Sequence, residues 1–292
     1  MAKTSEWQIT APRTLEFDAQ TIGELDIRVV NGAVNVVGTD GPQARVEVSA
    51  LDGPALRVRH TGNRLEVGYD DLPWQGFLKW LDRKAWNRRV VVSVSVPSAV
   101  RLSLASVGAP CVVSGIDGPA AVQGVSGDTT LVGLTGPVRA DTVTGKVEAQ
   151  ALGGPLRFNS VSGDLTLIDC AAPSVRADLV SGGAVLDFAP GGKPVDLRLN
   201  TVSGDVAVRL PEPADTAVEA GTAGGSVSSA FDELSTSGGW GSRRLSGTLG
   251  NGGGSVRINS VSGAIAVLRR PDNPPEDFST PPPTSPSLRK DV

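Results

Sequence analysis

The chain has 292 residues, with 27 Lys and Arg against 31 Asp and Glu, for a net charge of −4. That balance excludes a general nucleic-acid binder, which needs a basic excess to hold phosphates. One His and two Cys exclude multi-histidine metal centres and leave little room for Ser-His-Asp or Cys-His catalysis.

Aromatic residues make up only 4% of the chain, Gly is plentiful at 36 residues, and Val recurs throughout, a composition that favours many short strands joined by tight turns. The opening Met1–Trp7 carries no apolar leader, and no run of about 18 apolar residues occurs anywhere. The expected location is therefore the cytoplasm, with a membrane-peripheral position as the alternative.

In chain order, residues 1–98 form an N-terminal β region. Leu25–Ile27, Val46–Val48, Leu56–Val58 and Leu65–Val67 each alternate apolar and polar residues, which is strand periodicity. His60 lies on such a strand and reads as an exposed residue. Residues 70–89 break the pattern. Asp70, Asp71 and Pro73 resemble a helix cap and first turn. Trp74, Phe77, Leu78, Leu81 and Ala85 then share one face at helical spacing, opposite Lys79 and Arg83, with Trp80 and Trp86 on the shoulders. This predicts an inserted amphipathic helix that caps the sheet, with membrane contact as the lesser alternative.

From residue 99 to 270 one motif dominates. It appears as Leu156-Arg157-Phe158-Asn159-Ser160-Val161-Ser162-Gly163-Asp164-Leu165 and returns around Val143, Val202 and Val261. The anchors Val107, Val125, Val143, Val161, Val180 and Val202 lie 18 to 22 residues apart. A unit of that size cannot bury its apolar side alone, so stacked coils are required. The expected fold is all-β: a β-solenoid, or β-helix, with coils of 18–22 residues. Leucine-rich repeats lack their leucine ladder here, and propeller blades are longer. The Gly two residues after each anchor should point inward. The Asn or Asp two residues before it should mark the corner where the inward phase slips. Residues 231–254 read as a Gly-rich surface loop containing Trp240, and residues 271–292 as a disordered Pro-rich tail.

With these residues in hand, the chain resembles a bacterial, notably actinobacterial, family of β-strand-repeat adhesin-like proteins, a domain of unknown function. The Val-Ser-Gly-Asp repeats carry the resemblance, together with Val30-Asn31-Gly32 and the Trp-rich segment Asp71–Lys84. It spans nearly residues 5–270. It implies a β-helix and a surface-binding role, without an established activity.

Two functional classes follow. The first is a non-enzymatic binding scaffold with no cofactor, no metal and no catalytic residue, whose partner is a protein or surface ligand. Its contact residues would be Trp74, Phe77, Trp80, Leu81, Trp86 and Trp240. The alternative is a carbohydrate-active β-helix enzyme using the outward carboxylates Asp128, Asp164 and Asp205, which recur at one repeat position. The row Ser126, Thr144, Ser162, Ser181, Ser203 and Ser262 should face outward as turn-adjacent hydroxyls. Cys111 and Cys170 fall too many coils apart to bridge and should be free thiols.

Overall fold

The motif around Leu156 shows how the fold arises. Along Leu156–Ser160 burial alternates, with Leu156, Phe158 and Ser160 inward and Arg157 outward. Such a strand has one face to bury, and the next coil repeats it in register: Leu156 pairs with Val175, Phe158 with Ala177 and Ser160 with Leu179, all parallel. After a corner the chain runs along a second strand, Leu165–Cys170, whose inward Leu165 and Leu167 face the first strand's apolar side. A second corner packs Ile116, Leu134, Leu152 and Ala172 of successive coils into the core before the path returns.

The computed structural model describes residues 4–69, 88–191, 193–239 and 241–270. Repetition of the coil builds two facing sheets, of 14 and 12 strands, with one continuous apolar core. The all-β solenoid expected from the repeat is borne out.

Both ends turn antiparallel. At the N-terminal end Thr4–Ile9 pairs with Leu56–Thr61, and Arg13–Asp18 pairs with Gln43–Asp52. At the other end Arg243–Leu249 pairs antiparallel with Thr216–Thr222 and with Ser235–Ser237. These strands cover parallel edges that would otherwise present unpaired backbone groups. The parallel stack also crosses residue 98: Glu24–Val29 pairs with Arg101–Ser106, and Asn31–Thr39 with Cys111–Ser114.

The final coil is interleaved. Gly254–Ser262 lies between Asp196–Ser203 and Thr216–Thr222 and pairs parallel with both. In the second sheet Ile265–Arg269 likewise lies between Val206–Leu210 and Val227–Ser229.

Two expectations need correction, and two others fall on residues outside those described. Among the described residues the one helical segment is a 3-10 turn at Ala19–Thr21, and the inserted helix expected at 70–89 falls almost wholly on residues outside them. Residues 70–87 lie outside the described residues, and Arg89 already begins the strand Arg89–Pro97. The tail 271–292 lies outside them as well. Residues 231–254 are not one loop, because they contain the two strands Ser235–Ser237 and Arg243–Leu249, with Phe231 and Leu234 buried.

The corner is also displaced. Val161, Val180, Val202 and Val261 point outward, at 48%, 52%, 49% and 56% exposed, while Ser160, Thr201 and Ser260 point inward. The phase therefore slips at the Val-Ser pair and not at the Asn. The cause is hydrogen bonding: Ser160 Oγ accepts from Gly163 N at 2.7 Å and donates to the Gly163 carbonyl at 3.0 Å. Thr142 and Thr222 accept from Gly145 N and Gly225 N in the same way, each at 3.1 Å. At these three corners the inward hydroxyl satisfies backbone groups, which a valine could not do, whereas the buried Ser260 hydroxyl has no such partner. Gly163 itself is buried as expected, and its missing side chain lets the Gly145 carbonyl of the preceding coil pass close by.

Candidate binding face

The six residues proposed as contacts, Trp74, Phe77, Trp80, Leu81, Trp86 and Trp240, all lie outside the described residues. The other candidates are placed.

The aspartates of the repeat are structural. Asp128 accepts a hydrogen bond from Lys146 N at 3.0 Å, Asp164 from Gly183 N at 2.8 Å, and Asp205 from Ala264 N at 2.8 Å. Each carboxylate thus ties its coil to the backbone of the next. The Ser/Thr row is outward, and Ser126 and Thr144 donate to the Val107 and Val125 carbonyls at 3.0 Å. His60 sits at the N-terminal end, with Nε2 3.3 Å from the Thr21 carbonyl and its ring 5.6 Å from that of Phe17.

Cys111 and Cys170 are free and buried. Burial pushes the Cys111 thiol up to about 11, because a thiolate would lose its solvation there. Burial raises the Cys170 thiol as well. Neither is a nucleophile at neutral pH. No group of three or more His, Cys, Asp and Glu residues that could hold a metal ion occurs among the described residues. Nor is any helix among them long and apolar enough to cross a membrane.

The cluster at Asp26 is closed on itself. Its buried carboxylate accepts from Arg28 at 2.8 Å and from Arg64 at 2.5 Å, beside a space of about 120 Å³. Asp187 is likewise buried and paired with Arg209 at 2.6 Å.

The outer face of the first sheet is different. Arg139, Arg157, Arg176, Arg198 and Arg257 pair in register from strand to strand, so one guanidinium projects from each of five successive layers. All five are exposed. Arg139 pairs with Asp141 at 2.7 Å, which raises its affinity for its proton further. Among the described residues Arg157, Arg176, Arg198 and Arg257 make no ion pair.

Two residues along each strand runs a polar column. Asn159 donates to Asp141 at 2.5 Å, Asn200 to Asp178 at 2.8 Å, and Asn259 to Asn200 at 3.0 Å. Two residues further lies the outward valine stripe. Three parallel columns, cationic, amide-rich and apolar, therefore share one face. On the far side of the arginines a groove of about 620 Å³ runs past Arg101, Arg139, Arg157 and Arg176, edged by prolines such as Pro137 and Pro155.

The arginines were missed in the sequence although their signal was present. Each occupies the second position of a repeat copy, as in Val138-Arg139, Leu156-Arg157, Val175-Arg176, Leu197-Arg198 and Val256-Arg257.

The molecule is thus a β-solenoid with an ordered outer face. Residues 192–268, its C-terminal coils, match the family model Toastrack DUF4097, a domain of unknown function. No curated protein matches the chain. Among solved structures it is similar to a candidate lipid-binding protein from Parabacteroides distasonis, at 11% identity and a TM-score of 0.44, covering 90% of this chain and 98% of that one. A candidate adhesin from Bacteroides fragilis has 12% identity and a TM-score of 0.41, covering 89% and 97%. A candidate cell-adhesion protein from Clostridium sporogenes has 12% identity and a TM-score of 0.30, covering 89% and 100%.

Proposed function

We propose that this protein is a non-enzymatic β-solenoid scaffold that works by presenting an outer face to a surface ligand or protein. The observation that carries the reading is the use made of the outward aspartates. An enzyme on this fold would draw its acid and base from that column, yet Asp128, Asp164 and Asp205 each bind a backbone amide of the adjacent coil. They are also two coils apart, a separation of about 10 Å at the usual strand spacing.

Asp164→Ala tests the reading. Loss of the Gly183 hydrogen bond should lower stability by about 1 kcal/mol, discounted because the carboxylate is partly solvated. A thermal melt that leaves the variant unchanged, together with loss of a measurable release of reducing ends from a polysaccharide, would restore the enzyme reading.

A further inference from the structure

We propose that the arginine ladder Arg139-Arg157-Arg176-Arg198-Arg257 binds an extended acidic polysaccharide laid along the solenoid axis. The inference rests on the reading of the chain as a non-enzymatic binding scaffold and supplies its ligand class.

Five like charges stacked in register are unfavourable for the fold by themselves. Guanidinium groups cannot relieve that repulsion by losing a proton, because their pKa lies far above neutrality. The neighbouring carboxylates do not neutralise the stack. Asp141 is shared between Arg139 and Asn159, and Asp178 is held by Asn200. The ladder is bounded, too: Glu219 pairs in register with Arg257 at one end, and Ala121 with Arg139 at the other. The cationic stretch therefore covers five layers, roughly 19 Å at the usual strand spacing.

The pattern selects among polyanions. Phosphates along one strand of B-DNA repeat every ~3.4 Å, out of step with coils ~4.8 Å apart. Sequence-tolerant binding of single-stranded nucleic acid uses aromatic stacking platforms, and these three columns contain no aromatic residue. A pyranose ring in an extended glycan is about as long as one coil is thick. Successive sugars of an extended uronate chain turn their carboxylates to opposite sides, so every second sugar can present one to the ladder, where two parallel N–H···O bonds to a guanidinium can form. The Asn159, Asn200 and Asn259 amides retain acceptor and donor capacity for ring hydroxyls. The valine stripe offers the sugar C–H faces a dry edge, and the groove past Arg101 and Arg157 gives the chain a track.

The test is affinity electrophoresis and titration calorimetry of the full chain with polygalacturonate, with neutral dextran in parallel. The wild type should bind polygalacturonate, ignore dextran and weaken as salt rises. The triple variant Arg157→Gln/Arg176→Gln/Arg198→Gln should lose roughly tenfold or more in affinity, as expected when several charge contacts disappear together. Its melting temperature should equal or exceed that of the wild type, since repulsion is removed. The charge-matched triple Arg13→Gln/Arg45→Gln/Arg89→Gln, on the second sheet, should stay within about twofold because distant charges are screened. Ala121→Glu, which places a carboxylate at the end of the ladder, should weaken binding without touching an arginine.

No binding by the wild type, equal loss in the control triple, or equal binding to dextran would overturn the proposal. So would a wild type that ignores polygalacturonate but co-floats with phosphatidylglycerol vesicles or retains oligothymidylate. Release of reducing ends from polygalacturonate would instead sink the non-enzymatic reading and leave the ladder's role standing.

Discussion

Replacing Gly163 with Ala probes how closely the coils approach. A Cβ built there would lie 3.0 Å from both Ser160 Oγ and Thr142 Cγ2, and it would overlap the Gly145 carbonyl oxygen. Two of these neighbours are side chains that can rotate, but the carbonyl belongs to the backbone of the preceding coil and is fixed by the stack. Overpacking of this kind costs about 1–3 kcal/mol. The shift needed to relieve it would also stretch the 2.7 Å hydrogen bond between Gly163 N and Ser160 Oγ, worth about 1 kcal/mol. The expected loss is therefore about 2–4 kcal/mol, or roughly 4–16 °C in melting temperature for a domain of this size. Far-UV circular dichroism and calorimetry would measure it against Gly41→Ala. There the nearest atom to a new Cβ is Thr39 Oγ1 at 3.9 Å, so the effect should be near zero. Equal shifts for the two variants would refute the claim that close coil contact excludes a side chain at this column.

Two further outcomes follow from burial. Val161→Thr should change stability by less than about 0.5 kcal/mol because the side chain faces solvent, whereas Leu165→Asp should cost several kcal/mol by burying an unpaired charge; similar melting temperatures would disprove the phase. Cys111 should resist thiol reagents in the native state and react on denaturation. Its ordinary value of 9.0 is raised to about 11, so folded and unfolded chains both keep the proton below pH 9.0. Between those values only the folded chain keeps it, and the thiol's contribution to stability is lost as pH rises through the window. Cys111→Ala should flatten that part of the melting curve against pH; an unchanged slope would show that the thiol is not shielded.

The repeat made the coil legible because two kinds of residue agree at each position. Leu156, Phe158, Leu165 and Leu167 alternate, and Gly163 permits the approach of the next coil. A pattern that places every apolar residue inward puts the corner at Asn159, ahead of its place in the structure. Ser160 is inside because its hydroxyl serves the turn, and Val161 is outside because the chain has two outward residues in succession there. Exposed apolar residues are common on folded surfaces, and the inward hydroxyl was the informative one. The arginine column could have been found by aligning the repeat copies on their second residue. The carboxylate column misled for the opposite reason: a residue type that suggests chemistry was fixed there by the backbone amide of the next coil.

The repeat could not reveal which coil neighbours which, since equivalent residues pair equally well in any order. That ambiguity is where Gly254–Ser262 slips between Asp196–Ser203 and Thr216–Thr222. The last coil in the sequence is consequently a keystone rather than an end layer. Until it is made, the strands Asp196–Ser203 and Thr216–Thr222 lack the partner that joins them in the finished stack. Removing it would not shorten the stack by one terminal layer. It would split the stack from within, so completion of this end of the solenoid has to wait for almost the whole repeat region to be synthesised.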